Sequence, residues 1–593
     1  MKSLQTSDSE MKEFLLYGNI MRAFVIFHVC ILAYACGSET PGSAGHEDTR
    51  NLCRDGIDND DDGDTDCNDE ECLKFAFCKE DASTADGGSD SDTDSDTDAD
   101  SDTDTDSDSD SDVEPDGIYY WHTFYGSTDC DEYYCPDEGR SIVVDSNNYI
   151  YVAGDSSGTW TGPSGETPIN ESNGGAYVLK LGPNGSYQWH TFIGPCSAEG
   201  IAIDKNDNIY ITGGSSESWE GPDGQPPLHQ HSENNEFHNS DIFIQKMNSD
   251  GEYIWHTFYG TGEETTCGDP FLPDVADDDG TDIVVNDTNV FITGYSVNTW
   301  NGPAGQPPVY QFKRDECDSA NVHVIKLNPD GGYEWHTFGG IITLYNRVSI
   351  ALDSNNNIYT SGVSADSWKG PENAEPLYDT NKGGIFITCM NRDGIYEWHS
   401  FFGPTGNSND IITGEDNKIY ITGPGSAWKG PAGEEPLHEY THSEDESSDI
   451  YVLKLDSEGI YEWHSFFGSS GYDTGSSITL DEHDSILISG LGEESWKGPE
   501  GQKPLNSFNG STDILVLKLN QEGDYMWHSF FGSEFEDEST GMAPGSESSL
   551  YISGGSFTGW NGPSGQEPLH EHSSSNDEDA DTDIVVIKLI NEE

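Results

Sequence analysis

A Trp-His-[Thr/Ser]-Phe run begins at Trp121, Trp189, Trp255, Trp335, Trp398, Trp463 and Trp527. A Trp-x-Gly-Pro run follows each copy, at Trp160, Trp219, Trp300, Trp368, Trp428, Trp496 and Trp560. A third element, D-I-x-V-x-K-L in its fullest form, ends at Leu181, Met247, Leu327, Met390, Leu455, Leu519 and Leu589. A chain that repeats itself seven times, every 63 to 80 residues, is tightly constrained. Each copy must build the same local structure and bury it against its neighbours. Short β-branched and aromatic runs inside each copy select strands, so the fold class is all-β.

Residues 141–194 show what one repeat builds. The runs 141–145 (SIVVD) and 149–154 (YIYVAG) are separated by a Ser-Asn-Asn turn and read as a hairpin. After a long loop come 176–181 (AYVLKL) and 187–192 (YQWHTF), joined by Gly-Pro-Asn-Gly. Equivalent turns elsewhere read NSDG, NPDG, NRDG, DSEG and NQEG. Their final Gly suits a tight turn with positive φ. Four strands per repeat make one propeller blade.

The order of the pieces predicts a ring. The first Trp-His strand, 118–124, has no D-I-x-V-x-K-L strand before it, and the last such strand, 583–589, has no Trp-His strand after it. The N-terminal strand is therefore expected to complete the last of seven four-stranded blades, leaving no open sheet edge. With the SIVVD-type strand innermost, the short turns share one face. The long loops carrying Trp-x-Gly-Pro share the other, where function usually sits.

These elements resemble the bacterial seven-bladed β-propeller repeat family, SBBP. The resemblance rests on D-I-[FYV]-[VI]-x-K-[LM], G-x-Y-x-W, I-x-[VL]-D and N-x-[IV]-[YF]-[IV]-[TS]-G, and it covers residues 118–593. Here Trp-x-Gly-Pro replaces the commoner Ser-x-Phe-Pro, which marks the long loops as a local elaboration. The resemblance implies a secreted or surface-attached protein and supplies no catalytic residues.

The region before the repeats points to an envelope address. Residues 21–36 (MRAFVIFHVCILAYAC) combine one Arg, a short apolar core and small residues before a Cys followed by Gly. Such a segment reads as a signal peptide ending in a bacterial lipobox, with Cys36 as the lipidated residue; simple secretion or a retained anchor is the alternative. The expected location is the bacterial cell envelope, as an outer-membrane lipoprotein facing the surface. Initiation at Met11 or Met21 would suit residues 1–36 better than Met1.

After a short linker, 37–52, residues 53–79 form a Cys- and Asp-rich module. Asp58, Asp60, Asp62, Gly63, Asp64, Asp66 and Asp69 fall at positions 1, 3, 5, 6, 7, 9 and 12 of a calcium loop. Hard Ca²⁺ takes several oxygen ligands, and Gly at position 6 allows the bend. The module resembles the Cys/Asp-rich metal-binding motifs of myxobacterial surface proteins. Cys53, Cys67, Cys72 and Cys78 suit two disulfides outside the cytoplasm, or a zinc site. Residues 80–117 follow as a disordered tether, since 89–112 alternate Asp with Ser, Thr or one Ala.

The net charge is −86, and the repeats share the acid excess. A nucleic-acid partner is excluded on that ground, because phosphate repels such a surface. Several candidate sites remain. The seven Trp-His histidines lie on the outer strand, too far apart to converge on one metal, so blade packing explains them better. The Trp-x-Gly-Pro indoles either pin their own loops or form an aromatic ring for carbohydrate stacking. Loop histidines, His229, His231 and His238, His438 and His442, and His570 and His572, could chelate a borderline metal. Cys130, Cys135, Cys196 and Cys267 are disulfide candidates, Cys317 lies in a long loop, and Cys389 replaces the strand lysine. Turns such as DSNNN and DKNDN fit either calcium or Asx-turn chemistry.

The leading expectation is a monomeric, non-catalytic surface lipoprotein whose propeller binds an extracellular polysaccharide or protein. A secreted enzyme acting on polysaccharide or peptide would need an acid, base or nucleophile that breaks the repeat symmetry, in the insertions at 127–140 or 261–280. A passive envelope spacer is the third reading.

Overall fold

The computed structural model describes residues 118–590 apart from 128–134, 173, 233–238, 262–276, 312–318, 344–345, 405, 442–446 and 574–580. The signal segment, Cys36, the module at 53–79 with its aspartates and cysteines, and the tether lie outside the described residues.

Among the described residues, twenty-eight strands form antiparallel meanders of four. β1 is Tyr119–Tyr125; β2 (Cys135–Val144), β3 (Ile150–Ser156), β4 (Gly175–Leu181) and β5 (Tyr187–Gly194) make the first complete meander. β6 (Gly200–Ile203), β7 (Ile209–Ser215), β8 (Asp241–Met247) and β9 (Tyr253–Tyr259) make the next. β10 (Asp278–Val285), β11 (Val290–Ser296), β12 (Ser319–Leu327) and β13 (Tyr333–Thr343) follow. Then come β14 (Ser349–Leu352), β15 (Ile358–Ser364), β16 (Gly384–Met390) and β17 (Tyr396–Phe402). β18 (Asp410–Thr413), β19 (Ile419–Gly425), β20 (Asp449–Leu455) and β21 (Tyr461–Phe467) repeat the pattern. So do β22 (Asp473–Leu480), β23 (Ile486–Gly492), β24 (Asp513–Leu519) and β25 (Tyr525–Phe531). The last three strands are β26 (Asp537–Pro544), β27 (Ser549–Ser556) and β28 (Asp581–Ile590). β1 pairs antiparallel with β28, Trp121 opposite Lys588 and Tyr125 opposite Ile584. A two-residue parallel bridge from β2 to β28 links two meanders into one eight-stranded sheet.

Burial explains the strand order. The middle strands are covered on both faces and read as near-continuous apolar runs; all seven residues of β8 (DIFIQKM) are buried. The fourth strand opens to solvent at its start, as in β5, where Gln188 is exposed. The core lies between sheets: Ile242 and Ile244 of one pack with Ile283, Ile292 and Trp300 of the next. The innermost strands are stitched side by side. Asp282 accepts from the Ile350 N–H at 2.9 Å, and Asp410 from the Ile478 N–H at 2.9 Å.

At several junctions the repeat's Lys reaches the next sheet's Gly-ending turn. Lys180 donates to the Ser249 carbonyl at 2.7 Å, Lys246 to Pro329 at 3.0 Å and Lys454 to Gln521 at 3.0 Å. The Gly of that turn has φ near +79° at Gly251 and lies against Trp189; a Cβ there would sit 3.3 Å from the indole. The turn thus needs Gly for its backbone and again for the neighbouring Trp. The DSNNN and DKNDN hairpins are Asx turns: Asp353 Oδ1 accepts from Asn355 and Asn357, and Asp204 Oδ1 from Asn206 and Asn208.

Candidate functional site

The repeated aromatics come first because they are the most numerous candidates. In the fourth strand His190 is fully buried between two partners. Tyr187 Oη donates to its Nδ1 at 2.7 Å, and its Nε2 donates to the Trp160 carbonyl at 3.0 Å. The imidazole stacks on the Trp160 indole, centroids 3.8 Å apart and planes 10° from parallel. The same unit recurs as Tyr119–His122–Trp560, Tyr333–His336–Trp300, Tyr396–His399–Trp368 and Tyr461–His464–Trp428. Tyr253–His256–Trp219 is looser, its stack 5.2 Å apart. In the last copy His528 takes the Tyr525 bond and stacks on Trp496 at 3.7 Å. Burial pushes His190, His336, His464 and His528 down to about 4, so these imidazoles are neutral at pH 7.

After each stacked Trp the loop runs back along the outer edge of the fourth strand. Ile169 N–H donates to the His190 carbonyl at 2.9 Å, and Phe192 N–H to the Asn170 carbonyl at 3.2 Å. The pattern repeats in every sheet, from Leu228 on His256 to Leu569 on His122. The outer edge strand is therefore covered by the loop of its own repeat, which removes a row of open pairing groups.

In this geometry each indole pins its own loop, the first of the two readings of these residues. Trp160, Trp300, Trp368, Trp428, Trp496 and Trp560 are buried, and Trp219 is half-buried. They are unavailable for stacking on a sugar, because each is already occupied by its own repeat's His and Phe. Among the described residues, the loop histidines His229, His231, His570 and His572 are engaged with backbone carbonyls. His229 Nδ1 donates to the Phe258 carbonyl and His231 Nε2 to the Ser215 carbonyl, each at 2.8–2.9 Å. His570 and His572 act likewise on Phe124 and Ser556. No group of three or more His, Cys, Asp or Glu poised to hold a metal occurs among the described residues. Cys196, a disulfide candidate, is a free buried thiol packed with Ala176, Ile211 and Phe243. Cys389 is also free and buried, pushed up by desolvation. Cys130, Cys267, Cys317, His238, His442 and the Cys135 side chain lie outside the described residues.

What breaks the symmetry sits where β26, β27 and β28 approach β23 and the start of β2. A cavity of about 330 Å³ there is lined by Glu138, Glu493, Glu536 and Glu538, with Tyr472 and Phe557 among its walls. Beside it Arg140 holds Asp155 at 2.8 Å, Glu138 at 3.3 Å and Glu199 at 3.5 Å. Glu538 is open to the mouth but crowded by protein; desolvation, with Glu138 and Glu536, lifts it to about 7 against the pull of Arg140. Sequence reasoning missed this cluster. Its signal was weak, because the matching places in other repeats are also polar, with Asp279 and Asn407 at the place of Glu138 and Glu199 and Asn409 at that of Arg140.

The family model for the SBBP β-propeller repeat matches residues 137–159, which are β2, its turn and β3 with the start of the following loop. That match falls on one of the four-stranded meanders described above. This chain is a β-propeller repeat protein. The propeller is similar to an uncharacterized WD repeat-containing protein of Acanthamoeba polyphaga mimivirus, 23% identical over 407 residues, 58% of this chain and 27% of the relative. It also matches the regulatory protein FlaEY of Caulobacter vibrioides, 30% identical over 122 residues, 20% of this chain and 13% of the relative. The chain thus spans 27% and 13% of the lengths of these two relatives. Among solved structures it is similar to a gluconolactonase of Xanthomonas campestris, with TM-score 0.28, 12% identity, and 63% of this chain on 84% of that one. It is also similar to the phage phi92 endosialidase, with TM-score 0.34, 10% identity, and 80% on 70%.

Proposed function

We propose that the propeller is a non-catalytic recognition scaffold that binds a basic segment of an extracellular protein at the inner mouth of its loop face. The observation that carries this is the division of labour in the repeat. The repeated aromatics are spent inside each blade, whereas the charged groups that differ between blades converge around one acid-lined cavity. A cavity of about 330 Å³ takes one Lys or Arg side chain, with carboxylates for its charge and Tyr472 and Phe557 for its stem.

In this reading the scaffold is a ring of seven blades closed by β1. Three contacts support closure. Lys588 of β28 donates to the Pro183 carbonyl of the first meander's turn at 3.4 Å. Trp121 of β1 lies against Gly185 of that same turn. Ile584 and Val586 share a core with Ile142 and Val152 of β2 and β3. The ring is held at the outer-membrane surface by a lipid on Cys36, through the calcium-type module at 53–79 and the acidic tether.

The test is binding of the full chain to panels of Lys/Arg-rich peptides and of neutral, acidic and aminated glycans. The expected result is saturable, salt-sensitive binding of basic peptides that the Glu493→Gln/Glu536→Gln/Glu538→Gln variant loses with its melting temperature unchanged. Binding of a glycan that survives this variant would overturn the reading.

A further inference from the structure

The acid-lined cavity gathers more negative charge than its one neighbouring cation can balance. Glu138 of β2 and Glu538 of β26 hold the same place in their hairpins, Glu138 opposite Asp155 and Glu538 opposite Gly555. In β22 the corresponding residue is Thr474, opposite Leu491 and uncharged. Glu138 also leans towards the partner of Glu538: a Cβ on Gly555 would sit 3.8 Å from Glu138 Cγ. The two carboxylates therefore serve one cavity from two different meanders, and Glu493 and Glu536 line it with them. Arg140 is divided before Glu538 and Glu536 are counted, since it already holds Asp155 at 2.8 Å, Glu138 at 3.3 Å and Glu199 at 3.5 Å.

Groups reach Glu538 from every side. β2 brings Glu138 and Arg140, the segment before β26 brings Glu536, and the segment after β23 brings Glu493. β27 offers Gly555 and β28 offers Thr582, neither of them charged. Thr582 is buried, and its hydroxyl has no hydrogen-bond partner, so the chain does not complete the polar lining by itself. On β26 itself Asp537 is already spent. Its Oδ2 accepts from the Ser533 N–H at 2.6 Å and hydroxyl at 2.7 Å, and its Oδ1 from the Ser556 hydroxyl. Next to Thr582, Asp583 has His572 at 3.6 Å. Asp155, raised to about 7 by burial, lies behind Arg140 and accepts from the Ala198 N–H at 2.9 Å. Carboxylates crowded beside protein walls do not all ionise together; they hold a proton in common. Burial first, and then Glu138 and Glu536, put Glu538 at about 7 against the pull of Arg140.

We propose that capture of a basic segment at this cavity is proton-linked: a cationic side chain entering among Glu138, Glu536 and Glu538 displaces the proton they share, so the partner is held above neutral pH and released as the surroundings acidify. This rests on the recognition reading and adds its control. The exchange balances simply. The O–H bond of one carboxyl breaks, its proton passes to water, and the entering cation supplies the positive charge in its place. An opposite charge favours the ionised carboxylate, so affinity is complete well above the value of the free site and falls as pH drops through it.

The test is calorimetry of the full chain with an acetylated, amidated tetra-arginine peptide, whose guanidinium groups keep their charge throughout. It is run at pH 6, 7 and 8 and constant ionic strength, in two buffers of different protonation enthalpy, which counts the protons released. The expected result is binding about tenfold weaker at pH 6 than at pH 8, with about half a proton released per peptide at pH 7. Glu538→Gln should bind more weakly at pH 8 and lose most of the pH dependence. Glu138→Gln should keep a pH dependence with its midpoint moved towards acid, a shift that a merely structural role would not produce. Should either variant melt early, the proton count on the unaltered chain decides alone, and no release overturns the proposal. Equal affinity at pH 6 and pH 8 would overturn the proton link and leave the recognition reading standing. So would a slope that folded Glu538→Gln retains in full, which would assign the effect to the diffuse charge of the chain. Absence of binding at every pH would instead sink the recognition reading, and the proton link with it.

Discussion

The outer rim and the blade junctions of the loop face bury polar groups by opposite means. At the rim, each His but His528 sits between a Tyr hydroxyl and a Trp carbonyl and all seven lie in an aromatic stack, while the indole N–H groups of Trp160, Trp428, Trp496 and Trp560 are buried without an acceptor. At the junctions, aspartates face one another across a glycine, and burial lifts Asp473 and Asp513 to about 7. A matched polar group at the rim stabilises one blade. A mismatched one at a junction makes the fit between blades depend on protonation.

The comparison breaks most sharply if the rim units are not structural. Trp428→Ala removes a buried indole and its stack on His464, and should cost about 3–5 kcal/mol in denaturant unfolding. Near-zero loss would mean that the loop, and not the Trp, secures the edge.

A second difference is in the sign of the pH response. His190, His336, His464 and His528 have folded values near 4 against about 6.5 unfolded. Their contribution is complete above pH 6.5 and is lost as pH falls through 4, by roughly 3 kcal/mol for a residue such as His464. Asp473 and Asp513 are raised, so their contribution is present in acid and is lost as pH rises through about 7. Melting across a pH series should therefore show Asp473→Asn flattening the loss towards neutral pH, and His464→Gln flattening the loss towards acid. A single shared slope would erase the distinction.

Tyr461→Phe leaves the buried His464 Nδ1 without its donor and should cost about 1–3 kcal/mol. The same change at Tyr253, whose unit is looser, should cost less, which orders the seven copies by the tightness of their stacks. The smallest effect belongs to the mouth: Glu536→Gln should change stability by no more than about 0.5 kcal/mol. Its expected consequence is weaker peptide binding alone, read by titration at two salt concentrations.

Much of this was legible in the sequence. The strand pairs at 141–154 and 176–192 fall within one or two residues of β2 to β5, because period-two patterning and Gly turns are local signals. Strand β2 begins earlier, at Cys135, since the bridge to β28 draws it out. The motif alone left the Trp-x-Gly-Pro indoles open between loop pin and aromatic ring for a physical reason: nothing local says which distant ring a Trp will stack on. The co-occurrence of Trp-His and Trp-x-Gly-Pro in every repeat carried that information, in the pairing of two motifs rather than in either one.

Sequence by itself determined the all-β class, the four-strand repeat and the acidic character, because periodicity and turn chemistry act over a few residues. Tertiary structure decided which groups are spent and which are free. It placed the histidines in neutral stacks, turned the long loops back along the edge strands, and brought Glu138 of the first meander beside Glu536 and Glu538 of the last. It also set Asp513 against Asp537, across a gap that only glycine leaves open. Those encounters join residues from different repeats, and electrostatics between them depends on distance and burial that no single repeat encodes.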